Sequence, residues 1–387
     1  MSKPRVYLDH ASATPISNSV IDAMRPFLGE LFYNASSTHS GGNLAKQALE
    51  ESRQKIAYWF GCRPNEVVFT AGGTEANNLI IHGIMSQFPE ANCLIGSTEH
   101  ESVIAPAEQY DHRMIPVKHN GIIDIPAMEE LIDDRTALIS IHYANNETGV
   151  VQPIRQLSKI IVKVRENRRR LGNDMPIFLH TDACQAPSYL DIHINSLGVD
   201  AMTINAGKIY GPKQTGAIFL SKKLRITPLV LGGGQEKGVR SGTENISNII
   251  GFAMALDEVQ NTRHQTVLQM KELQQYFIDQ LESRIQSVIV NGSMKHRLPN
   301  NVHITLPGLD NERLMMELDN KGVLCSVGSA CSASSEESSH VLRAMGLSDK
   351  EARSSLRFTM GRSTTKEDID YVTNCLEEIC SREGYTT

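Results

Sequence analysis

A few residues in this sequence sit where their side chains could do chemistry. Lys208 lies in Ile204-Asn205-Ala206-Gly207-Lys208-Ile209-Tyr210-Gly211-Pro212-Lys213, directly after an apolar run and before a Gly-Pro turn. A lysine there points from a strand end into a crevice, where partial loss of water lowers the amine pKa and lets it condense with an aldehyde cofactor. A lysine in a turn is also an ordinary surface residue, so its neighbours decide. Asp182 closes the earlier run Ile177-Phe178-Leu179-His180-Thr181-Asp182. Pyridoxal phosphate needs an acid on its pyridine nitrogen, because a protonated ring is the sink that stabilises a carbanion on the substrate. Aspartate is equally a preferred helix cap, with Gln185 then no more than a first-turn residue. Gly72-Gly73-Thr74-Glu75 follows a strand-like run and precedes a helix-like one. Backbone N–H groups at such a junction suit a phosphate. A nucleotide phosphate would fit as well, although no GxxxxGK[ST] or GxGxxG motif occurs at this turn. Cys331 has small and polar neighbours, Gly328-Ser329-Ala330 before it and Ser332-Ala333-Ser334-Ser335 after it. A thiol in an exposed, flexible segment is of the reactive kind, whereas Cys325 reads as a strand-end core residue.

The elements that position these residues are legible as alternation. Short apolar runs at Val67-Val68-Phe69-Thr70, Cys93-Leu94-Ile95-Gly96, 137–143, 177–179, 201–204 and 217–220 alternate with helical stretches. That pattern predicts a largely parallel sheet covered by helices. Polar clusters at Ala71-Gly72-Gly73-Thr74-Glu75, Thr98-Glu99-His100, Ala144-Asn145-Asn146-Glu147, His180-Thr181-Asp182 and Asn205-Ala206-Gly207-Lys208 follow these runs. In an open α/β sheet they converge on one crevice at the carboxyl ends of the strands. From about residue 245 to 285 one long helical stretch links this unit to a smaller one, in which runs at 288–291, 302–306 and 356–359 alternate with helices at 311–321 and 366–379. We expect a large domain over 15–262 and a small domain made of 1–14 and 263–387, which carries the Cys331 segment (about 326–339). That segment is rich in Ser, Ala and Gly, a composition that predicts a mobile loop.

Composition narrows the function classes. A net charge of −6 leaves no global positive field to gather nucleic acid or anionic lipid. The basic run Arg165-Glu166-Asn167-Arg168-Arg169-Arg170 reads as a solvated helix end favoured by the helix dipole. No apolar signal core follows Met1 and no apolar run approaches the ~18 residues of a membrane span, so no membrane partner and a cytoplasmic location are expected. The 7 cysteines are odd in number and form no CxxC pair, which argues against a disulfide framework and against a metal site.

Taken together, the motifs resemble the NifS/IscS-type cysteine desulfurases, class V enzymes of the fold-type I pyridoxal-phosphate group, and the likeness runs nearly end to end. It is carried, in family order, by Tyr7-Leu8-Asp9-His10-Ala11, Asn34-Ala35-Ser36-Ser37-Thr38-His39, Val68-Phe69-Thr70-Ala71-Gly72-Gly73-Thr74-Glu75, Thr98-Glu99-His100, Asn145-Asn146-Glu147-Thr148-Gly149, Asp182-Ala183-Cys184-Gln185, Lys208-Ile209-Tyr210-Gly211-Pro212-Lys213, Arg240-Ser241-Gly242-Thr243, Gly328-Ser329-Ala330-Cys331 and Arg357-Phe358. The resemblance implies an α/β fold, with a mostly parallel seven-stranded sheet between helices in the large domain and a smaller α/β domain beside it. It implies pyridoxal 5'-phosphate carried by Lys208, with His100 stacked on the ring and shuttling protons. Asp182 would pair with the ring nitrogen and Gln185 with the ring hydroxyl, while Gly73, Thr74 and Asn205 would hold the phosphate. Thr243 would reach the phosphate of a second copy, which implies a homodimer. Asn145, Arg357 and Asn34 would bind the substrate L-cysteine, Arg357 by its planar fork.

The implied reaction passes sulfur from L-cysteine to Cys331 as a persulfide, leaves L-alanine, and delivers the sulfur to an acceptor protein or a reducing thiol. The sequence departs from the family at Gly207, where most members carry histidine, at Asn205 in place of a serine, and at Gln235 where histidine is common. An Asn205 donor and an exposed Gly207 N–H would stand in at the phosphate. Class V aminotransferases and selenocysteine lyases share the lysine and aspartate, and Cys331 is the residue that separates them from this reading. A low-activity sulfur-transfer scaffold is the reading that the Asn205 and Gly207 replacements would favour.

Overall fold

Strand β1 (Val6–Tyr7) opens the part of the chain that the computed structural model describes, residues 5–328 and 338–382. The seven strands of the main sheet follow: β2 (Val67–Thr70), β3 (Asn92–Gly96), β4 (Asp111–Ile115), β5 (Thr136–Ser140), β6 (Phe178–Asp182), β7 (Ala201–Asn205) and β8 (Gly216–Leu220). Their spatial order is β2-β8-β7-β6-β5-β3-β4, with β8 antiparallel to both neighbours and every other pair parallel. β2, β3, β5 and β8 are buried along their whole length, as expected of strands with helices on both faces. The exception is β4, which the apolar-run reading does not contain. It sits at the sheet edge, pairs only with β3, and buries only Ile115. An edge strand is covered less and carries charge to discourage further pairing, so Asp111-His112-Arg113 leaves no apolar signature.

Beyond the main sheet, β9 (Ile289–Val290), β10 (Asn301–Thr305) and β12 (Ser355–Thr359) form an antiparallel sheet in the order β12-β10-β9, and β11 (Val323–Leu324) pairs in parallel with β1. The helix Ile246–Arg284 joins the two parts. It has 39 residues, roughly 58 Å at 1.5 Å per residue. Its start is capped by Asn245, whose Oδ1 accepts the Asn248 N–H at 3.2 Å. Ile249, Phe252, Leu256 and Val259 pack into the core of the main sheet, while Met270, Leu273, Phe277 and Leu281 pack into a second core with Val6, Leu8, Ile304 and Phe358. Among the described residues no helix is long and apolar enough to cross a membrane.

The basic run corrects an expectation. Arg169 and Arg170 are exposed at the end of the helix Ile154–Leu171, but Arg168 is buried. Its guanidinium donates to the carbonyls of Asp133 (2.6 Å), Thr136 (2.9 Å) and Met175 (2.9 Å). Arg165 donates to the Ile177 carbonyl and pairs with Asp200. These cations satisfy carbonyls where β5 and β6 begin, so half of the run is internal scaffolding.

Two fully buried histidines make the fold acid-sensitive. His180 lies between Ser140 (2.9 Å) and Thr203 (3.1 Å), and burial lowers its pKa to about 4 against a smaller opposing pull from Asp182. Burial, then Arg297 and Arg357, lower His303 to about 3. Each is neutral when folded and takes up a proton when unfolded below its ordinary pKa near 6.5. Stability is therefore fully present above about pH 6.5 and is lost as pH falls toward 4. Denaturant titrations at pH 6.5 and pH 5 should differ by about 2 kcal/mol for each buried histidine; equal midpoints at the two pH values would count against neutral burial.

Candidate active site

The carboxyl ends of β2, β3, β5, β6 and β7 open onto one cavity of about 270 Å³, and Lys208, Asp182, His100, Gly73, Thr74, Gln185, Asn205 and Arg357 all line it. Lys208 closes a short 3-10 turn, Ala206–Lys208, directly after β7. Asn205 shapes that turn: its Oδ1 accepts the Gly207 N–H at 2.9 Å. This corrects the expectation that Gly207 offers its N–H to a ligand, because the preceding side chain already takes it. Lys208 Nζ donates to the backbone oxygen of Ser12, in the segment that crosses the crevice after β1. Gln185 reaches the same segment, with Nε2 2.9 Å from the Ala11 carbonyl.

Asp182 ends β6, and three donors hold its carboxylate. The Cys184 N–H reaches Oδ1 at 2.9 Å, Asn77 Nδ2 reaches Oδ2 at 2.7 Å, and the Cys184 thiol adds a third bond. Burial opposes ionisation, but these bonds and the nearby His100 outweigh it, so the pKa lies below the ordinary value. An ionised carboxylate on the floor of a cavity suits a basic ring nitrogen above it. His100 caps the helix Glu101–Ala107, its Nδ1 accepting the Ser102 N–H at 3.0 Å.

The Gly72-Gly73 turn begins the 13-residue helix Gly73–Met85. Gly72 has φ +128°, a region glycine alone enters readily. A Cβ on Gly73 would lie 2.8 Å from Cys184 Sγ. Two glycines thus keep the backbone N–H groups of this helix start open to the cavity, next to Thr74. An amine, an ionised carboxylate, an imidazole and a helix N-terminus around one cavity fit a phosphorylated aldehyde with a basic ring.

Arg357, on β12, is 1% exposed. Nη2 donates to Asp9 Oδ1 and Ser12 Oγ, both at 2.7 Å, and Nη1 to the Asn146 carbonyl at 3.0 Å, while Nε has no hydrogen-bond partner among the described residues. A guanidinium on the cavity wall with a donor to spare can take a carboxylate of a small substrate.

The cavity does not gather every expected residue. Asn145 is buried beside it with its carboxamide already engaged, Oδ1 accepting the N–H groups of Glu147 (2.9 Å) and Thr148 (2.8 Å) and Nδ2 donating to the Thr98 carbonyl (3.1 Å); its neighbour Asn146 lines the cavity. Asn34 is exposed, its Oδ1 accepting the Ser36 N–H at 2.8 Å. Thr243 lines a separate cavity of about 190 Å³ with Thr70, Gln214 and Arg240. Glu236 closes that cavity through a buried bidentate pair with Arg53, both bonds 2.7 Å. Cys331 lies outside the described residues. The described residues on either side of it reach the crevice wall. Ser326 pairs with Arg357 through the backbone (2.7 Å), Ser339 Oγ donates to Glu147 Oε2 (2.6 Å), and the His340 ring lies 2.9 Å from the Glu99 carbonyl.

Sequence reasoning missed Ser12, Cys184 and the Glu99–His142 pair. Glu99 Oε1 accepts the His142 N–H at 2.6 Å and lies 3.0 Å from its Nδ1, while His142 lines the cavity. The signal was available, since both residues lie in or beside the polar clusters after β3 and β5. Cys184 is a thiol of another kind from a reactive one: burial, then the Asp182 charge, push its pKa well above the ordinary value.

Comparison with known proteins agrees with this geometry. The aminotransferase class-V family model matches residues 6–372. The chain is 39% identical to cysteine desulfurase IscS of Dictyoglomus turgidum, over 98% of this chain and 95% of that protein. It is 37% identical to cysteine desulfurase IscS 1 of Archaeoglobus fulgidus, over 97% of each. Among solved structures, a NifS-like protein from Rickettsia africae superposes with a TM-score of 0.87 at 32% identity, covering 98% of this chain and 100% of that one. SspA in complex with cysteine superposes with a TM-score of 0.79 at 31% identity, over 92% and 98%. A lysine after β7, an aspartate ending β6 and a near full-length match to these relatives lead to one assignment: the chain belongs to the aminotransferase class-V family, among the NifS/IscS-type cysteine desulfurases.

Proposed function

We propose that this protein is a pyridoxal 5'-phosphate-dependent cysteine desulfurase that converts L-cysteine to L-alanine and passes the sulfur through Cys331 to an acceptor protein. The observation that carries the reading is the single cavity shared by the Lys208 amine, the Asp182 carboxylate, the His100 ring and the Arg357 guanidinium. Bound there, the cofactor supplies an electron sink for a negative charge at the substrate Cα. Asp182 would hold the proton on the ring nitrogen, and Gly73, Thr74 and the Asn205 amide would hold the phosphate. Arg357 takes the substrate carboxylate, and the Lys208 amine removes the Cα proton. The Cys331 thiolate would then attack the substrate sulfur, forming the S–S bond of a persulfide as the substrate Cβ–S bond breaks, and the carbon skeleton would keep that electron pair and take up protons to become alanine.

Two copies acting together complete the site. Thr243 stands apart from the Lys208 cavity, as a residue serving the partner's phosphate would, and nearby Leu229, Val230 and Leu231 leave an apolar stretch exposed, Leu231 by 79%. Residues 15–262 form the large domain and residues 1–14 with 263–387 the small one, a division supported by the clusters on the main sheet being separate from the one around β10 and β12. The enzyme works in the cytoplasm.

The test is to incubate the purified protein, loaded with pyridoxal phosphate, with L-cysteine and a reducing thiol. Alanine and sulfide should form in equal amounts without any added keto acid. A strict need for a keto acid, with no sulfide released, would make the protein an aminotransferase and sink the reading.

A further inference from the structure

We infer that Asn77 and Ser102 are positioning residues that fix His100 as the tautomer protonated on Nε2 and tie it to Asp182 through one hydrogen-bonded chain. Asn77 is fully buried on the helix Gly73–Met85. Its Nδ2 lies 2.7 Å from Asp182 Oδ2 and 2.9 Å from Ser102 Oγ. Ser102 Oγ in turn lies 2.9 Å from His100 Nδ1, and the Ser102 N–H reaches the same nitrogen at 3.0 Å.

The direction of every bond in this chain is forced. A carboxylate with a lowered pKa accepts only, so the nitrogen of the Asn77 amide must face it, not the oxygen. The second hydrogen of that nitrogen goes to Ser102 Oγ. The serine then has its own proton left to donate, and His100 Nδ1 is in reach. The backbone N–H of Ser102 donates to the same Nδ1 and cannot do otherwise. Two donors therefore point at Nδ1, which must be a lone pair, and the ring proton sits on Nε2. Reversal would break the cap of the helix Glu101–Ala107 and turn the serine against the amide. The orientation carries a cost, since Asn77 Oδ1 is buried without a hydrogen-bond partner among the described residues. Such an orphan is uncommon and calls for a reason; holding Asp182 and His100 together supplies one.

The consequence rests on the proposed function, whereas the tautomer does not: a ring locked with Nε2–H begins each cycle as a donor toward the substrate, not as a base. The test uses 15N-histidine-labelled protein without cofactor and long-range 1H–15N correlation spectra at pH 8, with His100→Gln to assign the signal. His100 should show an unprotonated Nδ1 and a protonated Nε2. Ser102→Ala and Asn77→Leu should each shift it toward a tautomer mixture and lower kcat about tenfold with KM little changed, the size of one net hydrogen bond. Ser102→Thr should restore the wild-type pattern. A wild-type His100 protonated on Nδ1 would overturn the inference. So would an unchanged spectrum in Ser102→Ala, which keeps the test alive if Asn77→Leu does not fold. Absence of desulfurase activity with the Nε2–H pattern intact would instead count against the proposed function alone.

Discussion

Lys208→Ala should lose alanine and sulfide production together, whereas Cys331→Ala should lose sulfide production while still binding the cofactor. The two variants separate the two halves of the proposed chemistry. Lys208 lies on the turn after β7, in a cavity with Asp182 and Cys184, so its removal takes away both the proposed covalent anchor and the proposed carrier of the Cα proton. Loss of a positioned proton-transfer group lowers the rate by about 10²–10⁴-fold. The visible absorbance of lysine-linked cofactor should disappear as well. In Cys331→Ala that absorbance should remain, because the Lys208 amine that would carry the cofactor is kept. Sulfide formation by Cys331→Ala at the wild-type rate would remove the thiol from the reaction, and a Lys208→Ala variant that kept its colour and turnover would remove the amine.

Asp182→Asn should lower kcat/KM by about 10²–10³-fold, the scale seen when a preorganised electrostatic partner is removed. The change is nearly isosteric, so packing is spared and the effect is electrostatic. The variant also sets a new NH2 against existing donors, since Cys184 N–H and Asn77 Nδ2 both point at the carboxylate. The bound cofactor should then lose its ring proton, read as a change in its absorbance spectrum. Near-normal turnover in this variant would show that the ring nitrogen needs no acid here.

The sheet was legible where strands are buried on both faces, because β2, β5, β7 and β8 write themselves as apolar runs. It was illegible at β4, whose residues face solvent at an edge. The site was legible where chemistry dictates a residue type, as with Lys208 and Asp182, which line one cavity with His100, a residue singled out by the family resemblance. It was less so where the backbone decides which of two like residues turns inward: Asn145 and Asn146 are adjacent, and only loop geometry sends the first into its own turn. Gly207 shows the same limit, since its N–H is claimed by a side chain two residues earlier. Asn77 and Ser102 carried no signal at all, because their role exists only once Gly73–Met85 and Glu101–Ala107 lie side by side.

The helix Ile246–Arg284 has a mechanical corollary. Between Asn261 and Gln269 none of its residues is buried, so this stretch leans on neither core. It joins the part that carries Lys208 to the part that carries Arg357, while bonds such as Arg357 Nη1 to the Asn146 carbonyl (3.0 Å) and the Arg362 N–H to the Tyr210 hydroxyl (2.9 Å) hold the two directly at the crevice. Bending there would strain backbone hydrogen bonds and the Arg362–Thr262 contact while the buried side chains on either side stay seated, so the helix can yield without opening either core.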